Sequence, residues 1–197
     1  MPKKAFLFIF CLLLVCGCAG SGLNTRVQMS DDIMIPPSAD KTIFIETHNT
    51  SIAPLDNLGN LLSERFAQQG FVVLSDIKQA HYYLQLDVVE FGYFNETTQM
   101  PIVPYIGVGV GTGWGPVGIG MGVGIGTILG SLFDDQRSHY TMAAYVRIEE
   151  QVAGAESIMH ESSLVSGATQ DDINFEQGYT FTRDAMIEKV MALFADK

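Results

Sequence analysis

The chain has 197 residues, of which 22 are acidic and 11 basic, so its formal net charge is −11. A surface of this charge repels nucleic acid and anionic headgroups, which argues against a nucleic-acid-binding protein. The three cysteines all lie in the first 18 residues, so the rest of the chain has no disulfide or thiol chemistry.

The first 18 residues have the pattern of a secretory signal followed by a lipidation site. Two lysines precede an apolar run over residues 5–15, which is shorter than the roughly 20 residues of a spanning helix. The tetrapeptide VCGC, ending at Cys18, then matches a bacterial lipobox. We therefore expect residues 1–17 to be removed and Cys18 to carry diacylglycerol and an N-acyl chain. Lipidation at Cys16 and an ordinary signal peptide without lipid are the alternatives.

The residue after the lipidation site indicates to which membrane the lipoprotein is sorted. Ala19 stands where lipoproteins retained at the inner membrane usually carry Asp, so we expect the outer membrane. Removal of residues 1–17 takes away two lysines and leaves 9 basic and 22 acidic residues, a mature net charge of −13. Membrane attachment must therefore come from acyl chains and apolar segments rather than from charge.

Residues 18–40 are mixed in composition, contain Pro36-Pro37, and predict a lipidated tether with a short extended piece around residues 33–35. Residues 41–96 are expected to be the first part of a periplasmic α+β domain. Its predicted elements are a strand over 41–48, a helix with apolar residues at 55, 58, 61, 62 and 66 that stops at Gly70, a strand over 71–74, a short turn over 77–80 and a strand over 81–91.

Residues 97–133 contain no Asp, Glu, Lys, Arg or His over 37 positions. Soluble linkers are richer in Ser, and collagen carries Gly at every third position, so the composition indicates a membrane-embedded hairpin. Eleven of the chain's 20 glycines lie here, namely Gly107, Gly109, Gly111, Gly113, Gly115, Gly118, Gly120, Gly122, Gly124, Gly126 and Gly130.

A helical hairpin is the favoured structure of this segment. Helices over 102–115 and 117–133 would be about 21 and 26 Å long, close to the roughly 25 Å apolar band of an outer membrane. Each would carry glycines on two opposite faces, where neighbouring helices of a ring of protomers could pack closely. A hairpin of strands over 107–115 and 117–127 and a soluble apolar loop are the alternatives.

Two aromatic residues are expected to anchor this hairpin at the membrane surfaces. Trp114 lies beside the expected turn at Gly115-Pro116, and Tyr105 lies near the other surface. Such side chains are enriched where membrane meets water. Burial of Trp114 between protomers is the alternative.

Residues 134–197 are expected to complete the domain. Alternation over 140–148 predicts a strand beside the strand over 81–91, so that the hairpin leaves and re-enters at one end of the sheet. A weaker strand over 157–166 and a closing helix, capped by Thr182 or Asp184, follow. The order of elements predicts an α+β fold with a small mixed or antiparallel sheet and two helices on one face.

No catalytic or metal-binding pattern is evident in the sequence. The histidines 48, 81, 139 and 160 lie far apart, and none has a ligand residue at i+3 or i+4. The adjacent pairs Asp134-Asp135 and Asp171-Asp172 would point apart on a helix or strand, so solvated turns explain them better than an acid–base site. We therefore expect a protein that is not an enzyme and needs no metal or cofactor.

Short segments spread over the mature chain resemble the TraT complement-resistance and surface-exclusion lipoproteins. They are VQMS at 27–30, IPPS at 35–38, TIF at 42–44, NTS at 49–51, GFVV at 70–73 and AHYYLQ at 80–85. That family also has a lipobox, a small-residue-rich apolar middle and a closing helix. The resemblance implies an outer-membrane lipoprotein that forms a homo-oligomeric ring and acts in conjugative surface exclusion, serum resistance or both.

The implied partners are outer-membrane lipid, further copies of the chain, and the conjugation machinery or pilus of a mating cell. The soluble domain would lie in the periplasm with the hairpin tip toward the cell surface. A pore-forming or transport assembly and an envelope scaffold without exclusion activity are the alternatives. The uncharged insert argues against a pore, because a conducting lumen needs polar side chains.

Overall fold

A computed structural model describes residues 22–94, 139–152, 156–170 and 172–195. Within these ranges the chain forms a six-stranded sheet, two α-helices and a short 3₁₀ turn at Ile77–Gln79. The strands are β1 (Asn24–Met29), β2 (Thr42–Asn49), β3 (Val72–Val73), β4 (Tyr82–Phe94), β5 (His139–Glu150) and β6 (Ile158–Thr169), and the helices are α1 (Leu58–Gln68) and α2 (Phe175–Ala192).

The sheet is mixed, with the strand order β1-β6-β5-β4-β2-β3. Strands β4, β5 and β6 are antiparallel neighbours, and β1 pairs antiparallel with β6. Strand β2 pairs in parallel with both β4 and β3, and α1 connects β2 to β3. The predicted α+β class and the pairing of the two long strands are therefore confirmed.

Strands β4 and β5 bury one face through the alternation that the sequence predicts. Leu84 and Leu86 are fully buried opposite Ile148 and Val146. A bulge after Val88 shifts the register, so that Phe91 rather than residue 90 returns to the buried face.

Both helices pack on this buried face. Helix α1 lies against β2 and β3, and α2 lies against β5, β6 and β1. Phe66 of α1 meets Phe194, just after α2, edge to face at 5.1 Å, and both rings contact Phe71. With Tyr82, which packs on Phe194 at 5.4 Å, they form a buried aromatic cluster that joins the helices to the sheet.

Strand β1 is not predicted by the sequence. Residues 24–29, which the composition assigns to a tether, pair along β6 over six positions. Ile33 is buried, and Ile35 packs against the core. The residues of β1 are all exposed or half-buried, so the strand lacks the apolar alternation of a buried strand and its sequence resembles a polar linker.

The predicted start of the closing helix is wrong. Helix α2 begins at Phe175, where Asn174 accepts a hydrogen bond from the Gln177 amide and the Gln177 side chain accepts one from the Asn174 amide. Thr182 lies within the helix, fully buried, and donates to the Gly178 carbonyl at 2.8 Å. The Asn174 to Gln177 spacing is a capping-box signal that the sequence does contain.

Candidate functional site at one end of the sheet

Four neighbouring strands each have one terminus in a single row across one end of the sheet. Phe94 pairs with His139, His139 with Thr169, and Thr169 with Asn24. We call this row of four residues the exit end. The segment between β4 and β5 leaves after Phe94 and returns at His139, and β1 begins in the same row. Strand β1 thus brings the amino-terminal part of the chain to the end where the long apolar segment is attached.

Covalent geometry limits how far the expected membrane attachments lie from this row. Cys18 is six residues before Asn24, and an extended chain of that length reaches about 20 Å. Thr97, where the uncharged stretch begins, is three residues after Phe94, a reach of about 10 Å. Both expected membrane attachments, the lipid on Cys18 and the apolar segment, are therefore connected to the exit end by short stretches of chain.

The expected lipid site at Cys18, the anchors Tyr105 and Trp114 and the eleven glycines over 107–130 lie outside the described residues. The helical hairpin accordingly stays a prediction. Neither helix in the described ranges combines the length and the apolar character that crossing a membrane requires.

An aromatic cluster that we call the aromatic rim borders the exit end. Phe91 stacks on Tyr140 at 5.5 Å with an interplanar angle of 11°. Tyr93 meets Tyr140 at 4.9 Å, and Phe175, the first residue of α2, meets Phe91 edge to face at 5.3 Å. Tyr179 extends the cluster, 6.3 Å from Phe175. The rim thus joins β4, β5 and the start of α2.

The rim differs from the buried aromatic cluster in its exposure. Tyr93 and Phe175 are 42% and 44% exposed, whereas Phe66 and Tyr82 are 0% and 3% exposed. Sequence spacing does not reveal the rim as a cluster, although aromatic residues lie close to both ends of the apolar segment.

Burial at this end changes the pKa of two ionisable groups. Desolvation raises the pKa of Glu90, which has left the buried face because of the bulge. Desolvation, with a smaller effect of Tyr93, raises the pKa of Tyr140. Both groups are therefore held toward their neutral forms at this end of the domain.

The opposite, helix-free face of the sheet carries a polar network. The Tyr83 hydroxyl donates to the Glu46 carboxylate, and burial together with this bond raises the pKa of Tyr83. His48 Nδ1 lies 2.8 Å from Asp87 Oδ1, so the fold gives this histidine a carboxylate partner that sequence spacing does not reveal. Arg147 Nε donates to Glu161 at 2.6 Å.

This network does not form a metal site. Across the part of the chain that the structure describes, no three His, Cys, Asp or Glu side chains are arranged to hold a metal ion. His81, near Glu150 at 3.4 Å, lies at the other end of β4 from the exit end, and His160 is on β6. The fold therefore keeps His48, His81 and His160 apart from one another and brings His139 to the exit end.

Comparison with known sequences identifies the family. The sequence profile described as Enterobacterial TraT complement resistance protein matches residues 22–193, from before β1 to the end of α2. The chain belongs to the TraT family. The resemblance seen in the sequence is thereby confirmed, and β1, α2 and the apolar segment all fall within the family's extent.

Pairwise identity to individual TraT proteins is low. A TraT complement resistance protein of Escherichia coli is 27% identical over 95 residues, which cover 46% of this chain and 39% of that protein. The one from strain K12 is 26% identical over 68 residues, covering 34% of this chain and 28% of the relative. The matched stretch thus spans less than half the length of either TraT protein.

Solved structures give similarities at low identity. A PelC dodecamer from Paraburkholderia phytofirmans is 12% identical with a TM-score of 0.46, covering 88% of this chain and 100% of that one. A hypothetical protein from Chlamydia trachomatis is 7% identical with a TM-score of 0.46, covering 78% of this chain and 95% of that one.

Proposed function

We propose that this chain is an outer-membrane lipoprotein that acts in conjugative surface exclusion, complement resistance or both. It is held by acyl chains on Cys18 and by insertion of residues 97–133, and it assembles into a homo-oligomeric ring. Membership of the TraT family supports the activity. The convergence of β1 and of the apolar segment at the exit end is the observation that supports the mode of attachment.

The proposed attachment has a simple physical basis. Several acyl chains on one cysteine anchor a protein stably, and an inserted apolar segment adds a second attachment to the same membrane. The two attachments act together only if both can reach the same bilayer from one side of the domain. Asn24 and Phe94 lie in one row, so the acyl chains and the apolar segment can enter one membrane without the chain passing around the domain.

The proposed activity depends on surface and assembly rather than on catalysis. The soluble domain lies in the periplasm, and the hairpin tip faces outward, where a mating cell or complement is met. Neither role requires a metal or a cofactor beyond the lipid on Cys18. The net charge of −13 in the mature chain argues against nucleic acid as a partner on electrostatic grounds.

Expression in a recipient strain tests the function. We expect the wild-type chain to lower plasmid transfer into the recipient or to raise its survival in serum. Cys18→Ser should abolish the effect and release the protein from the outer membrane, whereas Cys16→Ser, two residues away, should preserve it. Unchanged mating and unchanged serum survival with correctly anchored protein would refute both activities and leave the envelope scaffold or the transport assembly.

Vesicle leakage tests the pore alternative. The purified lipoprotein is reconstituted into vesicles loaded with a small fluorescent solute, with empty vesicles and detergent-treated vesicles as the two limits. We expect the vesicles to remain sealed, because the apolar segment offers no polar lumen. Release of solute in proportion to the inserted protein would support the transport assembly instead.

A further inference from the structure

We propose that the aromatic rim is a lipid-contacting surface that lies in the headgroup layer of the membrane. The proposal rests on the membrane attachment proposed above and goes beyond it, since attachment itself needs only Cys18 and residues 97–133. Through the rim the folded domain contacts lipid directly, and this contact fixes the depth of the domain at the bilayer.

The position of the rim along the strands is the first argument. Tyr93 is one residue and Phe91 three residues from Phe94, where the chain leaves the sheet. At about 3.4 Å per strand residue, both lie within about 10 Å of the exit end. The polar layer on each side of a bilayer is roughly 5–8 Å thick. If the apolar segment enters the bilayer directly after Phe94, the rim lies at the depth of the headgroups.

The chemistry of the exposed side chains is the second argument. Tyr93 and Phe175 expose 42% and 44% of their surface, and Leu23, next to Asn24, exposes 41%. In water this exposed apolar surface is unfavourable. At a membrane surface the rings lie against acyl-chain ends while a tyrosine hydroxyl remains among polar headgroups. The rim thus presents apolar area on the side that faces the bilayer.

The rigidity of the cluster is the third argument. Tyr93 and Phe175 are held by ring contacts to Tyr140 and Phe91, and these two are buried. The exposed rings accordingly lose little further rotamer freedom when they meet lipid. A pre-ordered contact of this kind binds more tightly per unit area than one that must first be ordered.

Charge favours aromatic contact over electrostatic attraction. A mature chain with net charge −13 is not drawn to anionic headgroups, so contact must be made by apolar surface. Burial raises the pKa of Glu90 at the same end of the sheet, which favours its neutral form. Binding through the rim should therefore depend little on salt, because screening weakens charge interactions and leaves apolar burial unaffected.

Depth-resolved fluorescence quenching tests the proposal. The mature lipoprotein carrying Trp114→Phe is reconstituted into vesicles of phosphatidylethanolamine and phosphatidylglycerol with brominated acyl chains. A single tryptophan is placed by Tyr93→Trp or Phe175→Trp. The control is Met159→Trp, which is 55% exposed and pairs with Glu149, about 34 Å along β5 from His139.

Brominated lipid should remove most of the emission of the probes at 93 and 175 and none from the probe at 159, which acrylamide should quench instead. Quenching of all three by acrylamide alone would overturn the proposal by placing the rim in water. Protection of 93 and 175 from both quenchers would overturn it in favour of a contact between protomers. Failure of every variant to float with the vesicles would instead refute the membrane attachment, a result that flotation separates from the other two.

Discussion

Gly178 of α2 and Tyr140 of β5 are in a contact that leaves no room for a side chain at residue 178. A Cβ added there would lie 2.3 Å from both Cγ and Cδ2 of Tyr140 and 2.9 Å from its Cβ. These are the least mobile atoms of the tyrosine, and Phe91 stacks on the same ring. The absence of a Cβ therefore sets the distance between α2 and the sheet.

Gly178→Ala should destabilise the domain. Alanine gains about 1 kcal/mol of helix propensity over glycine, but overpacking against a fixed ring costs typically 1–3 kcal/mol, and here the base of the ring must move. We expect a net loss of about 1 kcal/mol or more in urea unfolding followed by circular dichroism. Gly59→Ala on α1 is the matched control, because only the Thr47 hydroxyl comes within 3.1 Å and a side-chain rotation can relieve it. Equal stability of the two variants would contradict the close approach.

The capping box at the start of α2 gives a second prediction. Asn174→Ala removes the side-chain oxygen that accepts from the Gln177 amide at 2.9 Å, so unfolding should become easier by about 1 kcal/mol. Asp184→Ala, at the cap position that the sequence suggested, removes an ion pair with Arg183 at 2.7 Å in which Asp184 is 42% exposed, so it should cost less, about 0.5 kcal/mol. A larger loss at 184 than at 174 in thermal unfolding would argue for a later helix start.

A third prediction concerns the attachment of β1. Ser162, 5% exposed, donates to the Asp31 carbonyl at 3.0 Å and accepts from the Asp31 amide at 3.1 Å. Ser162→Ala should remove both hydrogen bonds, at a cost of about 1 kcal/mol because Asp31 is exposed and water can replace the serine, and should speed hydrogen exchange over 24–29. Ser163→Ala is the control, since Ser163 meets Ser30 through backbone atoms. Unchanged exchange in β1 after Ser162→Ala would show that pairing with β6 alone holds the strand.

Stability should depend on pH through Glu90. Because burial raises its pKa in the folded state above the ordinary value of 4.5, the folded protein binds this proton more tightly than the unfolded chain. The stability linked to the proton is fully present below pH 4.5 and is lost as pH rises through the raised value. Glu90→Gln should therefore raise the melting temperature at pH 7 and have a smaller effect at pH 4. Glu64→Gln, exposed on α1, is the control; a deficit for Glu90→Gln at pH 7 would refute the burial argument.

The glycine hairpin carries the last prediction. If helices pack through opposite glycine faces, Gly111→Leu and Gly122→Leu should each weaken the oligomer, because a leucine keeps neighbouring backbones apart. Val110→Leu, at a position between the glycine faces, is the control. Native gels or mass photometry of detergent-extracted protein give the readout, and an oligomer that survives both glycine changes would rule out this packing.

The sequence predicted most of the core because the residues on the buried face of a strand or helix are apolar and recur with the period of that element. Leu84 and Leu86 alternate along β4, and their partners on β5 repeat the pattern, so both strands and their pairing followed from the residues alone. Gly70 marked the end of α1 because it adopts a φ of 86°, which glycine accepts without strain.

Features that depend on tertiary contacts were not predictable in this way. Strand β1 becomes a strand only because β6 offers its edge, and its own sequence is mostly polar. The aromatic rim brings together residues 91 and 175, which are remote in sequence and meet only when α2 is seated by Gly178. Sequence pattern thus located the apolar segment, whereas only the fold revealed that the amino-terminal part emerges beside it.

The shared row of Asn24 and Phe94 also determines how the domain bears mechanical load. Tension between the membrane and the body of the domain acts along β1 and β4, parallel to the strands. Ladder hydrogen bonds run perpendicular to the strands, so such a pull shears them and all the bonds between β1 and β6 share the force. A pull at right angles would instead break them one at a time. The short strand β1 is thus oriented to resist being drawn out of the sheet by the lipid anchor proposed at Cys18.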